Sequence, residues 1–245
     1  MSALALISLN IERSKHLDRI VPFLHAEHPD VVCLQEVCER DIPRLEETVG
    51  TCHAFAPICM HPADPPEEGF VVIGTGIFSR LTARRANVSY YRGNETHARA
   101  HRRPVMDDVN LVVCDFEMGG GVFRIGTTHF TWAPDGNASD RQRHDMPKLL
   151  GILDTLGGFV LTGDFNAPRL HDGHQGEIFG VLAARFKDNI PAEYTTSIDG
   201  TLHRAGPLPY MIDGLFSTPE YAVSNVRLVD GVSDHMAVVA TVSKS

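Results

Sequence analysis

Eight polar side chains stand where apolar runs stop or start, and as a set they suit one kind of chemistry. Asn10 follows Ala-Leu-Ile-Ser-Leu, Glu36 follows Val-Val-Cys-Leu-Gln, His129 follows Arg-Ile-Gly-Thr-Thr, and Asp164 and Asn166 follow Phe-Val-Leu-Thr-Gly. Asp213 closes Pro-Tyr-Met-Ile, and Asp234 and His235 come just before Met-Ala-Val-Val-Ala. A side chain at a strand end is held by a rigid element yet open to solvent. Each one alone is an ordinary turn residue, since strands must end somewhere and Asp, Asn and His are common there. Together they supply carboxylates, two amides and two imidazoles. Such a set can hold a hard cation, position a water and donate to phosphate oxygens.

The elements that must position these groups alternate along the first part of the chain. Leu4–Leu9 reads as a buried strand, and Leu17, Ile20, Val21 and Leu24 fall at helical spacing between Lys15 and Ala26, with Ser14 as N-cap. After Pro29, Asp30–Gln35 reads as a second buried strand, and a helix is expected over Asp41–Val49. Four strands are expected over Phe70–Ser79, Ala83–Tyr91, Val105–Glu117 and Val122–Thr128, the last two joined by the tight turn Gly119-Gly120-Gly121. A polar helix over Ser139–Leu156 leads to a short buried strand, Phe159–Thr162. After an irregular stretch, Tyr210–Ser217, Ala222–Val229 and Met236–Val242 complete the strands, and the Pro-rich segment Pro57–Pro66 reads as a surface loop. No repeat or low-complexity linker divides the chain. The expectation is a single α/β domain over residues 1–245, two sheets packed face to face with helices outside.

Composition narrows the classes. With 245 residues, 43% hydrophobic and 22% charged, the chain can bury a large core and has no apolar run long enough to span a membrane. The apolar start lacks the basic leader and cleavage site of a signal peptide and reads as a strand, so a cytoplasmic protein is the default. The five cysteines, odd in number and without a CxxC pair, read as buried reduced thiols. His171 and His174 have no third ligand to make a zinc site. A net charge of −9 argues against indiscriminate adhesion to nucleic acid. Between Arg80 and Arg103, however, seven arginines stand against one acid, Glu95, so this stretch carries +6 and the rest of the chain −15. A solvated strand pair is the bland reading; a basic strip drawing an anionic substrate to one face is the functional one. On the functional reading Arg102 and Arg103 would bind substrate. Trp132, the single tryptophan, would stack on a base or else pack in the core.

Leu34-Gln-Glu-Val37, Gly163-Asp-Phe-Asn166 and Ser233-Asp-His235 resemble, in order and spacing, three signature motifs of the endonuclease/exonuclease/phosphatase superfamily. Ser8-Leu-Asn10, Gly76-Ile-Phe-Ser-Arg80, Thr128-His-Phe130 and Tyr210-Met-Ile-Asp213 support the likeness, which runs from about residue 4 to residue 242. The resemblance implies a two-sheet α/β sandwich with its active site at one edge, and hydrolysis of a phosphate ester with Mg²⁺ or Mn²⁺. By the same resemblance Glu36 is a metal-binding residue, with Asn10 as ligand or orienter and Asp234 in direct or water-mediated contact. Asp164 and Asn166 would orient the attacking water and the phosphate. Asp213 and His235 would pair, leaving the other ring nitrogen for a phosphate oxygen or a proton, and His129 would donate to the scissile phosphate. Whether Asp164 or His235 is the base stays open. Glu12, two residues after Asn10, is an extra ligand or merely an acid ahead of a helix. The leading expectation is a phosphodiesterase or nuclease using a metal-activated water. The alternatives are hydrolysis of an inositol, sugar or lipid phosphate, and a catalytically silent binding module. The sequence names no oligomeric state.

Overall fold

The computed structural model describes residues 2–100, 102 and 107–245. The chain opens with β1 (Ala3–Asn10), α1 (Leu17–Glu27), β2 (Val31–Cys38), α2 (Ile42–Val49), β3 (Thr51–Pro62), β4 (Phe70–Ser79), β5 (Ala83–Arg92) and α3 (Glu95–Ala100). It continues through β6 (Val109–Met118), β7 (Gly121–His129), α4 (Asp140–Leu153), β8 (Val160–Asp164), β9 (Leu170–His171), β10 (His174–Gln175), α5 (Glu177–Ala183) and β11 (Lys187–Asp188). The last strands are β12 (Asp213–Ser217), β13 (Tyr221–Val229) and β14 (Ala237–Lys244). Two six-stranded sheets result, in the orders β13-β14-β1-β2-β4-β3 and β11-β12-β8-β7-β6-β5.

Period-two alternation divides each central strand between two cores. Along β1 and β2, Leu4, Leu6, Val31 and Cys33 face the core shared with Val112, Cys114 and Phe116 of the opposite sheet. Their neighbours Ile7, Leu9, Val32 and Leu34 face Leu17, Ile20 and Leu24 of α1 and Leu45 of α2. On the other sheet Leu111 and Val113 turn to Met146, Leu149 and Leu153 of α4 and Phe179 and Leu182 of α5. Strands covered on both faces must be apolar almost throughout, which is why they read as continuous runs. The layers are helix, sheet, sheet, helix, as expected.

Some local expectations fail for identifiable reasons. Pro57–Pro62 is strand rather than loop: β3 lies at a sheet edge, and its pairing with β4 shifts register between Pro57 and Cys59. An edge bulge is where a strand tolerates proline. Ser14 does not cap α1. The helix starts at Leu17 behind His16, and Ser14 Oγ instead accepts the Cys38 N–H at 3.1 Å. The stretch before β12 contains α5, too short for a clear periodic signal. The expected start of β6 at Val105 lies outside the described residues; the strand is ordered from Val109. All five cysteines are free. Among the described residues no helix is long and apolar enough to cross a membrane.

Among the described residues the arginine-rich stretch does not form a free basic strip. Arg84 pairs with Glu117 at 2.9 Å, Arg99 with Glu39 and Glu95 at 2.7 and 2.9 Å, and Arg92 with the buried Asp145. Arg80 donates to the Thr48 carbonyl, and Arg102 lies over the Phe70 ring, 5.6 Å from its centroid. Arg103 lies outside the described residues.

β7 and β8 run parallel, pairing Thr128 with Gly163 and His129 with Asp164. Gly163 has φ +139°, and a Cβ there would sit 2.0 Å from the Thr128 carbonyl oxygen. Only glycine lets β8 lie this close while delivering Asp164 beside His129. Gly163→Ala is expected to cost about 2–4 kcal/mol of stability. Chemical denaturation followed by circular dichroism measures it, and an unchanged midpoint would show that the contact relaxes freely.

Candidate active site

The strand ends named in the sequence meet at one end of the sandwich. β1 and β2 run parallel with Asn10 opposite Gln35, so Asn10 and Glu36 leave the first sheet side by side. In the second sheet Asp164 is opposite Asp213 across the antiparallel β8–β12 pair. His235, just before β14, is fixed by a bridge to Ile198. A cavity of about 330 Å³ is lined by Asn10, Glu36, His129, Asp164, Asn166, Asp234 and His235, with Trp132 at its edge. Asp213 lies behind His235, and Arg102 is not among the lining residues.

Asp164 is the hub. Its Oδ2 accepts the Asn10 amide at 3.0 Å and faces His129 Nε2 at 3.3 Å and His235 Nε2 at 3.9 Å. Its Oδ1 accepts the Asn166 backbone N–H at 2.8 Å. Burial alone would raise the Asp164 carboxyl pKa, but the hydrogen bond from His129 and the positive field of His235 hold it well below the usual carboxylate range. His235 Nδ1 lies 2.8 Å from Asp213 Oδ2. Burial disfavours the charged ring, yet Asp213 and Asp164 outweigh it and raise the His235 pKa well above the usual imidazole value. His129 is pushed the same way: burial opposes its charge and Asp164 overcomes it. The His235 shift, to about 10, keeps that ring charged near neutral pH, and the neighbouring carboxylate favours the charged form of His129 as well.

Two backbone features aim the acids. Glu36 has φ +58°, at a register shift of β2 against β4 between Leu34 and Val37. A bulge re-aims the side chain that carries it. Glu36 Oε1 thus comes to 3.5 Å from Asn10 Nδ2, and its Oε2 to 3.5 Å from Arg13. Asn10 Oδ1 meanwhile accepts the Glu12 N–H at 3.0 Å, so in this arrangement the amide turns donors toward the acids. Glu12 is buried and paired with Arg13, Lys15 and His16. Burial raises the Asp234 carboxyl pKa to about 6, with His235 opposing and the charges of Glu12 and Glu36 adding.

Several supports escaped the motif reading. Ser139 and Gln142 form a capping box at the start of α4, a pattern visible as Ser-x-x-Gln. The fully buried Gln142 amide also donates to the carbonyls of Thr131 at 2.8 Å and Asn166 at 3.0 Å, tying together the loops after β7 and β8. Gln35 donates to Thr127 Oγ1 at 2.9 Å and so joins the two sheets beneath the cavity. Tyr210, from the Tyr210-Met-Ile-Asp213 match, lines the cavity too; Arg13, His203 and Arg204 also line it, and nothing in their local sequence marks them.

A direct check concerns the Asp213–His235 pair. Removing a carboxylate that stabilises the imidazolium lowers the ring's pKa. In Asp213→Asn the His235 ring resonances are expected to titrate at lower pH than in wild type, by about 1 unit or more. An unmoved titration would show that Asp213 does not charge the ring.

Comparison with known proteins agrees with this geometry. The family model described as the Endonuclease/Exonuclease/phosphatase family matches residues 7–235. No curated protein sequence matches. Among solved structures, an endonuclease/exonuclease/phosphatase from Beutenbergia cavernae is 20% identical, with TM-score 0.76 over 100% of this chain and 72% of that one. Zebrafish (D. rerio) TDP2, solved with a single-strand DNA product, is 19% identical, with TM-score 0.66 over 100% of both chains. The mannosyl-6-phosphatase Bt3783 of Bacteroides thetaiotaomicron is 13% identical, with TM-score 0.67 over 98% of this chain and 99% of that one. These likenesses concern the fold. The family match spans nearly the whole chain and every strand end that feeds the cavity, and the chain belongs to the endonuclease/exonuclease/phosphatase family.

Proposed function

We propose that this protein is a divalent-cation-dependent phosphodiesterase that cleaves its ester by in-line attack of an activated water. The observation that carries the reading is the convergence on Asp164 of Asn10, His129 and His235, with Glu36 and Asp234 around the same cavity. The family comprises phosphoesterases.

The donor chemistry fits a hard cation. Among the described residues no group of three or more His, Cys, Asp or Glu side chains is arranged as a ready metal cage. Mg²⁺ does not need one, because it keeps several waters and takes one or two carboxylates. Glu12, Glu36, Asp164 and Asp234 crowd one cavity, and the fields of Glu12 and Glu36 help push Asp234 up. A bound cation would relieve that repulsion. Glu36 and Asp234 would hold it, and Asn10, which presents its amide nitrogen, would orient the acids. When bound, the cation would supply Lewis-acid polarisation of the phosphate and a more acidic water.

The chain's own residues do the rest. Asp164, ionised, positions the attacking water and accepts its proton as the new oxygen–phosphorus bond forms, and the positioning can supply much of a rate enhancement. Cationic His235, locked by Asp213, donates through Nε2 to a non-bridging oxygen where negative charge builds up. His129 Nε2 faces the same region and serves the phosphate or the leaving oxygen. Asn166, anchored through Nδ2 to the Phe130 carbonyl at 2.9 Å, closes the side of the cavity next to them.

The test uses bis(4-nitrophenyl) phosphate with Mg²⁺ or Mn²⁺, before and after chelation. Hydrolysis is expected with cation and its loss without. Asp164→Asn should lower kcat about 10²–10⁴-fold with the fold retained, and Glu36→Gln should weaken calorimetric Mn²⁺ binding at least about tenfold. Hydrolysis that survives chelation, or full activity in Asp164→Asn, would overturn the proposal.

A further inference from the structure

A second hollow of about 360 Å³ adjoins the first, and Arg13, Glu36, Trp132 and Arg204 line both. These four residues form the waist between them. A molecule whose ester phosphorus sits among Asp164, His129 and His235 can therefore pass one substituent over the waist into the second hollow. The floor there is Ile58, Cys59 and Ile73, a small apolar cluster separate from the three main cores. One wall is Trp132, which is 58% exposed although its neighbours Thr131 and Phe130 are buried. Thr131 Oγ1 donates to the buried Asp145 at 2.6 Å, which fixes the chain beside the indole. An exposed indole on an anchored backbone over an aliphatic floor is a stacking platform.

The cations around the two hollows are not equivalent. Arg13 is engaged by Glu12 and Glu36, and Arg141 by Asp107 at 3.0 Å. Arg204 alone among the described arginines of either hollow forms no hydrogen bond or ion pair. It is carried by a loop held from below. Asp199 Oδ1 accepts the N–H and hydroxyl of Thr201 at 2.8 and 2.6 Å, and its Oδ2 accepts the Gly231 N–H at 2.6 Å. The Asp199 carbonyl accepts the His203 N–H at 2.8 Å, the residue just before Arg204. Arg204 is thus an exposed cation without an ion pair, brought to the waist by an anchored loop and suited to an anion beyond the one the catalytic groups take.

Resting on the phosphodiesterase reading, we propose that the second hollow is the subsite for a nucleoside carrying a further phosphate. Its base lies against Trp132 and the Ile58, Cys59 and Ile73 floor, and Arg204 takes the further phosphate. A polyol phosphate would set hydroxyls against an aliphatic floor that gives them no side-chain partner, although Glu36, His61, Thr131 and three arginines stand around it. A lipid chain would have to pass three arginines at the rim.

Trp132 is the only tryptophan and lines both hollows, so its emission reports a ligand at the waist, and the bisphosphate-against-monophosphate comparison isolates the second hollow. Titration with adenosine 3′,5′-bisphosphate in Mg²⁺ is expected to quench it saturably, about tenfold or more tighter than adenosine 5′-monophosphate. Arg204→Ala should abolish that preference, Arg204→Lys should keep part of it, and the salt dependence of binding should weaken by about one charge in Arg204→Ala. The inference is overturned if the bisphosphate gives no quench, if inositol trisphosphate binds as well, or if Arg204→Ala keeps the preference. Tighter quenching by a single-stranded DNA oligomer than by any mononucleotide overturns it in favour of a polymer. Hydrolysis of bis(4-nitrophenyl) phosphate in the same preparation separates the two readings. Turnover without nucleotide quenching sinks only the subsite, and quenching without turnover sinks only the hydrolase.

Discussion

The structure turns on one buried carboxylate shared by both sheets. Asp164 takes a hydrogen bond from Asn10 of the opposite sheet and faces two imidazoles, one from β7 of its own sheet and one from the segment just before β14. An ionised carboxylate is expensive to bury unless charge and donors surround it. Here the surrounding groups are the ones to which the proposed hydrolysis gives roles. Satisfying Asp164 and assembling the cavity are the same physical event.

That arrangement places demands on the backbone. β8 must approach β7 closely enough for the Gly163 Cα to sit against the Thr128 carbonyl, and Glu36 must occupy a left-handed bulge to leave its strand toward the cavity. Glu12, Arg13 and Ser14 follow β1 with φ of 41°, 56° and 60°. Non-glycine residues persist in such conformations only where their surroundings over-determine them. The Glu12 carboxylate held by Arg13, Lys15 and His16, and Ser14 bound to Cys38, provide that constraint.

Electrostatics explains how an acidic chain can address an anionic substrate. The net charge of −9 is not offset by a broad basic face, because the described arginines of the 80–103 stretch are mostly engaged with acids or backbone close by. Attraction is instead local: the His129 and His235 rings in a low-dielectric pocket and, among the described residues, the Arg204 guanidinium without an ion pair at its waist. Buried charges are screened far less by salt than exposed ones, so a few placed cations can outweigh a distant net charge.

Much of this was legible in the chain. The apolar runs located nearly every long strand, since residues covered on both faces leave a continuous signal, and the polar interruptions at Asn10, Glu36, His129, Asp164, Asp213 and His235 marked the strand ends that converge. Ser139 and Gln142 announced the start of α4. What the chain could not state depends on contacts between residues far apart in sequence. The prolines at 57 and 62 were compatible with a strand only because that strand is an edge. The arginines from 80 to 103 read as a strip because their partners, Glu39, Glu117 and Asp145, lie elsewhere in the sequence. Arg204 and the second hollow carry no local pattern, since a cavity belongs to the packing of β3, β4 and two loops. The sequence by itself determined which side chains are available and the order in which rigid elements deliver them. Only the tertiary structure decided which of them meet and which charges remain uncompensated, because pairing and desolvation are properties of neighbours in space.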